Sequence, residues 1–309
     1  MRSWSSTNKL VGSSPVGALL VVTTLWAGPA HAAEPDACSA LSNLTFPGVT
    51  SIAAASVPAN TFTPPPPFPG LPPPPPVPVP FCRVQLTVHP QINIEVWLPA
   101  PESWNHRFQA VGGGGYAGVI SYPALAMAVT GDTVTGQFAT ASTDTGHPAG
   151  GTGNGQGGAN GAQGGGGFAL NPDTHALNQG IIVDFASRSL HEMTLKAKAL
   201  ISAYYGEPAR FAYWNGCSTG GRQGLMEAQR FPEDYDGILA GAPAINWDRF
   251  IPAELWPELV MKLGVGAPVA AGKLAAVNAA AIKACDARDG VTDGVIGPAG
   301  ATGPAGATA

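Results

Sequence analysis

The stretch Phe211-Ala-Tyr-Trp-Asn-Gly-Cys-Ser-Thr-Gly-Gly-Arg-Gln-Gly-Leu225 decides the fold. Phe211 to Trp214 is apolar and aromatic and reads as a short buried strand. Gly216, Gly220 and Gly221 then surround Ser218. Arg222 to Arg230 reads as a helix whose apolar residues are Leu225, Met226 and Ala228. A strand, a sharp turn with serine at its apex and a helix together push a hydroxyl out at the end of a sheet. So sharp a turn brings side chains two positions either side of the serine into collision with it, and Gly216 and Gly220 have none. The plainer alternative is a serine that caps a helix in a Gly-rich turn.

Read as a nucleophile elbow, this segment predicts an α/β-hydrolase fold: a mainly parallel sheet with helices on both faces. The rest of the chain fits around it. Arg83 to Val88 and Gln91 to Leu98 read as early strands, with His89-Pro90 turning between them. In the second, Ile92, Ile94, Val96 and Leu98 alternate with Asn93, Glu95 and Trp97, the pattern of a half-buried strand. Arg107 to Val111 is a further strand and runs into Gly112-Gly-Gly-Gly115. Gln137 to Thr143 is apolar and small enough for a central strand, and it delivers Asp144-Thr-Gly-His147. Asp184 to Tyr205 carries Leu190, Met193, Ala197, Leu200, Ile201 and Tyr204 at helical spacing, with Asp184 as a cap and Gly206 and Pro208 ending it. Gly237 to Ala240 is the next buried strand, and Glu254 to Leu263 and Ala270 to Ala284 read as helices.

The glycine run is the second chemical element. Such a loop after an early strand aims backbone N–H groups at a developing oxyanion, and Gly114 or Gly115 is the expected donor. The amide of Thr219, directly after the serine, is the expected second donor. A phosphate loop is a poor fit, because no Lys-Ser/Thr follows the glycines. His147 precedes Ser218, the wrong order for a hydrolase triad, so the Asp144 to His147 group reads as scaffold around the pocket. His191-Glu192 lacks the second histidine of a zinc motif; Leu195 stands there instead.

Gly216-Cys-Ser-Thr-Gly-Gly-Arg-Gln-Gly-Leu-Met-Glu-Ala-Gln-Arg-Phe-Pro-Glu-Asp-Tyr-Asp-Gly-Ile-Leu-Ala-Gly-Ala-Pro-Ala244 resembles the tannase and feruloyl esterase family, which also contains hydrolases of terephthalate monoesters. The resemblance runs from Arg83 to Val295. It implies an esterase acting on small aromatic-acid esters (feruloyl, galloyl or terephthaloyl) through an acyl-enzyme at Ser218. It implies an oxyanion loop at Gly112 to Gly118, and a lid domain that opens at Asn246 and is incomplete here. It pairs Cys38 with Cys82 and gives Cys217 and Cys285 partners beyond residue 309. Pairing Cys217 with Cys285 would also balance the count and would tie the elbow to a distant loop; spacing alone leaves it open.

Cys285-Asp-Ala-Arg-Asp-Gly-Val-Thr-Asp-Gly-Val295 is the third element. Hard oxygen donors crowded into a short turn suit calcium, though the spacing is not that of an EF-hand. By the family resemblance the ligands are the side chains of Asp286, Asp289 and Asp293 and the carbonyls of Val291 and Val295, in a structural role. A solvated acidic turn is the alternative.

Composition bounds the rest. The net charge of −5 on 309 residues gives no basic surface for nucleic acid or an anionic membrane. Arg2, Lys9, the short apolar run Val16 to Ala27 and Ala30-His31-Ala32 read as a secretory signal at 1–32, so the protein is expected to be secreted or periplasmic. Residues 33–82 form an N-terminal segment with a proline-dense insertion at Thr61 to Pro80, read as extended polyproline spacer on the surface. Residues 83–245 are the expected catalytic core and 246–296 the partial lid. Ala149 to Gly167 is a glycine-rich insertion, and 297–309 is a collagen-like tail. All six histidines precede Ser218, so the expected reading is a C-terminally truncated chain without its triad Asp and His, and with impaired activity. The competing reading is a non-catalytic, calcium-stabilised secreted binding module or a degenerate fragment.

Overall fold

The computed structural model describes residues 36–66, 72–147, 165–171 and 173–297. The segment 1–32 read as a secretory signal, most of the glycine-rich insertion and nearly all of the stretch 297–309 lie outside them. Seven strands form one sheet: β1 (Val49–Val57), β2 (Phe81–Val88), β3 (Ile92–Pro99), β4 (Trp104–Val111), β5 (Gln137–Thr143), β6 (Phe211–Cys217) and β7 (Gly237–Gly241). The helices are α1 (Tyr122–Thr130), α2 (Gln179–Val183), α3 (Ser189–Tyr205), α4 (Thr219–Arg230), α5 (Trp247–Gly264) and α6 (Ala271–Cys285). The spatial strand order is β1-β2-β3-β5-β4-β6-β7. Neighbours from β1 to β5 pair antiparallel, and β5, β4, β6 and β7 run parallel. β5 is central, as its apolar, small-residue composition predicts.

β1 is an addition to the sequence reading. Its Thr-Ser-Ile-Ala-Ala-Ala-Ser-Val run has no strong alternation, and it forms an edge strand with mostly exposed or half-buried residues. The disulfide Cys38–Cys82, with Cα atoms 5.6 Å apart, pins the segment before β1 to β2, as the resemblance implied.

The two faces of the sheet carry separate cores. On one, Ile92, Ile94, Val96 and Leu98 of β3 join Phe108, Ala139, Ala141 and Trp214 under Leu190, Met193, Leu200 and Ile201 of α3. On the other, Trp97 and Phe81 meet Leu125 and Val129 of α1 and Val77 from the proline-dense segment. β3 is therefore buried on both faces rather than one. The second cover comes from afar: Phe62 lies edge-on to Trp97 at 5.4 Å, and Phe81 stacks on it at 4.5 Å. The described ends of the proline-dense segment are thus packed, not a free spacer. Glu95 on that face is satisfied by Arg83 (Nε, 2.9 Å), Gln85, the Tyr122 hydroxyl and the Trp97 indole N–H. A buried carboxylate so surrounded escapes the penalty of lone desolvation.

The long helix starts earlier than its spacing suggests. α2 passes into a π-helical turn, Asp184–Arg188, which passes into α3. Asp184 is not a cap; it is buried inside the turn and bonds Arg188 at 2.7 Å. Gly206, at φ 75°, ends α3 as expected. Among the described residues no helix is long and apolar enough to cross a membrane.

Candidate active site

β6 ends at Cys217 and α4 begins at Thr219, with Ser218 between them at φ 58°, ψ −118°. Positive φ is costly for a residue with a Cβ, on the order of 1–2 kcal/mol. Three backbone bonds hold it there. The Ser218 N–H donates to the Gly241 carbonyl at 3.0 Å, and the Ser218 carbonyl accepts from Ala244 at 3.1 Å and from Arg222 at 3.0 Å. The side chain is exposed. The glycine requirement is real, but its cause differs from the simple expectation. A Cβ on Gly216 would lie 2.5 Å from the Gly220 carbonyl carbon, and Gly220 packs in turn on Gly112 and Gly113. The glycines clear backbone from backbone, not from the serine.

α4 buries a different face from the one its apolar residues suggested. Gly220, Gly221, Gln223, Gly224 and Glu227 point inward, while Leu225 and Ala228 face out. Gly220 and Gly221 let the helix start press against the loops at Gly112 and Gly241, and Gly224 makes room for Trp214 and Ile238.

The glycine loop after β4 is clamped at several points. Gly112 N–H donates to Asn215 at 2.9 Å, and its carbonyl accepts from Ser121 Oγ at 2.9 Å. Gly113 N–H donates to Gln223 Oε1 at 3.1 Å. The Thr219 hydroxyl donates to the Gly115 carbonyl, and the Tyr116 carbonyl lies 2.6 Å from His147 Nε2. With Gly112 and Gly113 so engaged, Gly114 and Gly115 are the remaining amides of the run. Thr219 is in the first turn of α4, where an N–H has no partner within the helix. The residues expected to form an oxyanion hole, Gly114, Gly115 and Thr219, are thus brought together around Ser218's turn.

An aromatic wall stands beside this turn. Tyr116 lies edge-on to Trp247 at 5.2 Å, Trp247 meets Phe185 at 5.5 Å, and Phe168 stacks on His147 at 3.8 Å. The Arg222 guanidinium sits 4.8 Å from the Phe185 ring and 5.9 Å from Trp247. It donates to the carbonyl of Ala186 at 3.0 Å, and burial pulls its pKa down to about 10. Arg222, Gln223, Phe185 and Trp247 escape notice in the sequence. Their one signal is that Arg222 and Gln223 follow the elbow within its first helical turns.

No histidine among the described residues bonds Ser218. His191 bonds Asp234 at 2.7 Å, His106 bonds Glu207 at 2.8 Å, and both ring nitrogens of His147 face other partners. Cys217 is free and exposed beside the serine, and Cys285 is also free, so the balanced pairing of the two is not formed.

The acidic loop has the oxygen chemistry calcium takes, but it is closed on itself. Asp286 Oδ1 accepts from the amides of Asp293 and Gly294, Asp289 from Val291 and Gly297, and Asp293 from Val295. The Gly297 and Val291 amides hold the Asp289 carboxyl below its ordinary range. Among the described residues no three His, Cys, Asp or Glu are gathered as for a metal ion.

Comparison with known proteins points to one family. The family model described as tannase and feruloyl esterase matches residues 78–301. A probable feruloyl esterase of Arthroderma benhamiae is 40% identical over 221 residues, 70% of this chain and 38% of that protein. An uncharacterised esterase of Xanthomonas campestris is 34% identical over 269 residues, 86% of this chain and 42% of that one. The crystal structure of feruloyl esterase B from Aspergillus oryzae superposes with a TM-score of 0.63 at 31% identity, covering 84% of this chain and 47% of that one. The chain spans less than half the length of these relatives. With a strained serine at the strand–helix turn and the α/β-hydrolase sheet beneath it, the chain belongs to the tannase and feruloyl esterase family.

Proposed function

We propose that this chain carries the nucleophile and oxyanion hole of a secreted serine esterase for small aromatic-acid esters. The observation that carries the reading is Ser218, exposed at positive φ between the glycine loop and the start of α4. In the proposed reaction Ser218 Oγ attacks the ester carbonyl. The amides of Thr219 and of Gly114 or Gly115 receive the negative oxygen. The C–O bond to the alcohol then breaks, the alcohol leaves with a proton, and water hydrolyses the acyl-serine. The aromatic wall of Tyr116, Trp247 and Phe185 offers rings for an aromatic acyl group to pack against.

The reaction needs a proton acceptor for Ser218. All six histidines precede it in sequence, and none of the described ones reaches it. We therefore propose slow turnover by these 309 residues alone, on the order of the 10³-fold rate enhancement left when a triad loses a member. That same observation favours the second reading, a binding module that keeps the scaffold without the chemistry. A fluorophosphonate probe and an activated short-chain ester separate the two. The esterase reading expects an adduct on Ser218 and slow hydrolysis, both lost in Ser218→Ala. Absence of any adduct on Ser218 in the wild-type chain overturns it.

Export is supported by the Cys38–Cys82 disulfide, which persists in oxidising compartments. The acidic loop is proposed as a structural calcium site on donor chemistry alone. Binding there requires Asp286 and Asp289 to exchange backbone amides for the ion. Calcium should raise the melting temperature and EGTA reverse it, with the response lost in Asp289→Asn; a calcium-independent melt leaves a plain hydrogen-bonded turn.

A further inference from the structure

We propose that His147 is a positioning residue of the oxyanion loop: its Nε2–H, donated to the Tyr116 carbonyl, locks the turn that carries the Gly114 and Gly115 amides. The inference rests on the esterase reading above for its catalytic consequence, though not for the hydrogen bond itself.

Topology brings the two segments together. β4 and β5 are parallel neighbours, so the loops leaving their carboxyl ends emerge side by side. One is the glycine loop and the other is Asp144 to His147. The chemistry of the contact then fixes the ring. A carbonyl oxygen only accepts, so Nε2, at 2.6 Å from Tyr116 O, must carry the proton. Nδ1 faces two groups of Thr145, the hydroxyl at 3.1 Å and the carbonyl at 3.3 Å; with the one proton of a neutral ring on Nε2, held by the much shorter contact, Nδ1 accepts from the hydroxyl. Burial pushes the imidazole below its ordinary pKa and so favours that neutral form. His147 is 6% exposed, and its ring is stacked on Phe168 at 3.8 Å and edge-on to Phe185 at 5.4 Å, which leaves it little freedom to turn. Thr145, at φ 59°, offers its hydroxyl from two residues earlier in the same loop.

The loop has need of such a lock. Gly115 and Ala117 both lie at positive φ, at 53° and 57°, on either side of Tyr116. An alanine in that region is strained, and a strained turn relaxes unless its neighbours over-determine it. Thr219 holds the Gly115 carbonyl from the helix side, and Gln223 holds Gly113 N–H. His147 supplies the third hold, from the strand side, one residue beyond the donors. An oxyanion hole works only if its amides are in place before charge develops, so each hold contributes to preorganisation rather than to binding.

Nitrogen NMR on the wild-type chain tests the tautomer directly. The expected signature is a neutral ring protonated at Nε2; a ring protonated at Nδ1 alone overturns the proposal. Amide hydrogen exchange then reads the loop. In His147→Phe, which keeps a stacked ring but no donor, amides between 112 and 117 should exchange about tenfold faster, the worth of one hydrogen bond. In His147→Gln, whose side-chain amide can donate from a similar position, they should stay within about threefold of wild type. Unchanged exchange in His147→Phe, or no rescue by glutamine, overturns the lock. Fluorophosphonate labelling of Ser218 should slow in His147→Phe and recover in His147→Gln. A wild-type chain that takes no label removes the esterase reading, while the lock still stands or falls on exchange and tautomer.

Discussion

Glu227 faces inward from α4, buried beside the carboxyl group of Asp234. Burial, and then the neighbouring carboxylate of Asp234, push its pKa up to about 8. Its folded value thus lies above its ordinary one, so the neutral form is the one the fold favours. That contribution is complete below the ordinary carboxyl range and is lost as pH rises towards 8. The wild-type chain should therefore lose stability between about pH 5 and pH 8, by on the order of 3 kcal/mol. Glu227→Gln keeps the shape and removes the titration. Its melting temperature should be flatter across that window and higher than wild type at pH 8, as thermal melts at a series of pH values would show. Equal slopes for the two proteins would mean that Glu227 is relieved by some other route. Nothing in the sequence marks Glu227, because a lone glutamate on a helix reads as a solvated residue. The elbow, by contrast, is legible there, because the crowding that demands glycine at 216 comes from Gly220, within the same five residues.

At the level of elements, legibility follows how far the deciding contact lies along the chain. β5 declares itself through its composition and the carboxyl end of α3 through its Gly206 cap. β3 misleads, because the cover on its second face is Phe62 and Phe81, the first of them thirty-five residues before Trp97. α4 misleads because its buried face is glycine, Gln223 and Glu227, which no hydrophobic pattern records. The π-helical turn at Asp184 is invisible for the same reason: its Arg222 contacts come from beyond β6. Of the candidate site, the strand–turn–helix at Ser218 and the glycine loop are legible in sequence, while the holds from His147 and Gln223 require the fold. The disulfide offers a test at this scale. It closes a loop of sequence separation 44 between the N-terminal segment and β2. By loop-closure entropy, Cys38→Ser with Cys82→Ser should cost about 4 kcal/mol in denaturant unfolding. A loss below about 0.5 kcal/mol would show that β1 pairing already restrains that loop in the unfolded chain.

Across the whole molecule, stability is concentrated in the sheet and the helices against it. α5 and α6 contain no buried residue, and Leu255, Trp256, Leu263 and Val277 are all more than 60% exposed. Helices so placed contribute little to the core. A chain ending at Phe250, which keeps Trp247 in the aromatic wall, should melt within about 1 kcal/mol of the full chain and be the more soluble of the two. A large loss in that shortened chain would assign α5 or α6 a packing role. The sheet itself is a party wall. Successive residues of β3 belong to opposite cores, Val96 and Leu98 to one and Trp97 to the other. Neither layer can come apart while its counterpart stays intact, since both are hung on the same backbone. Heat should therefore undo the two sides in a single cooperative step, with no half-melted species in between.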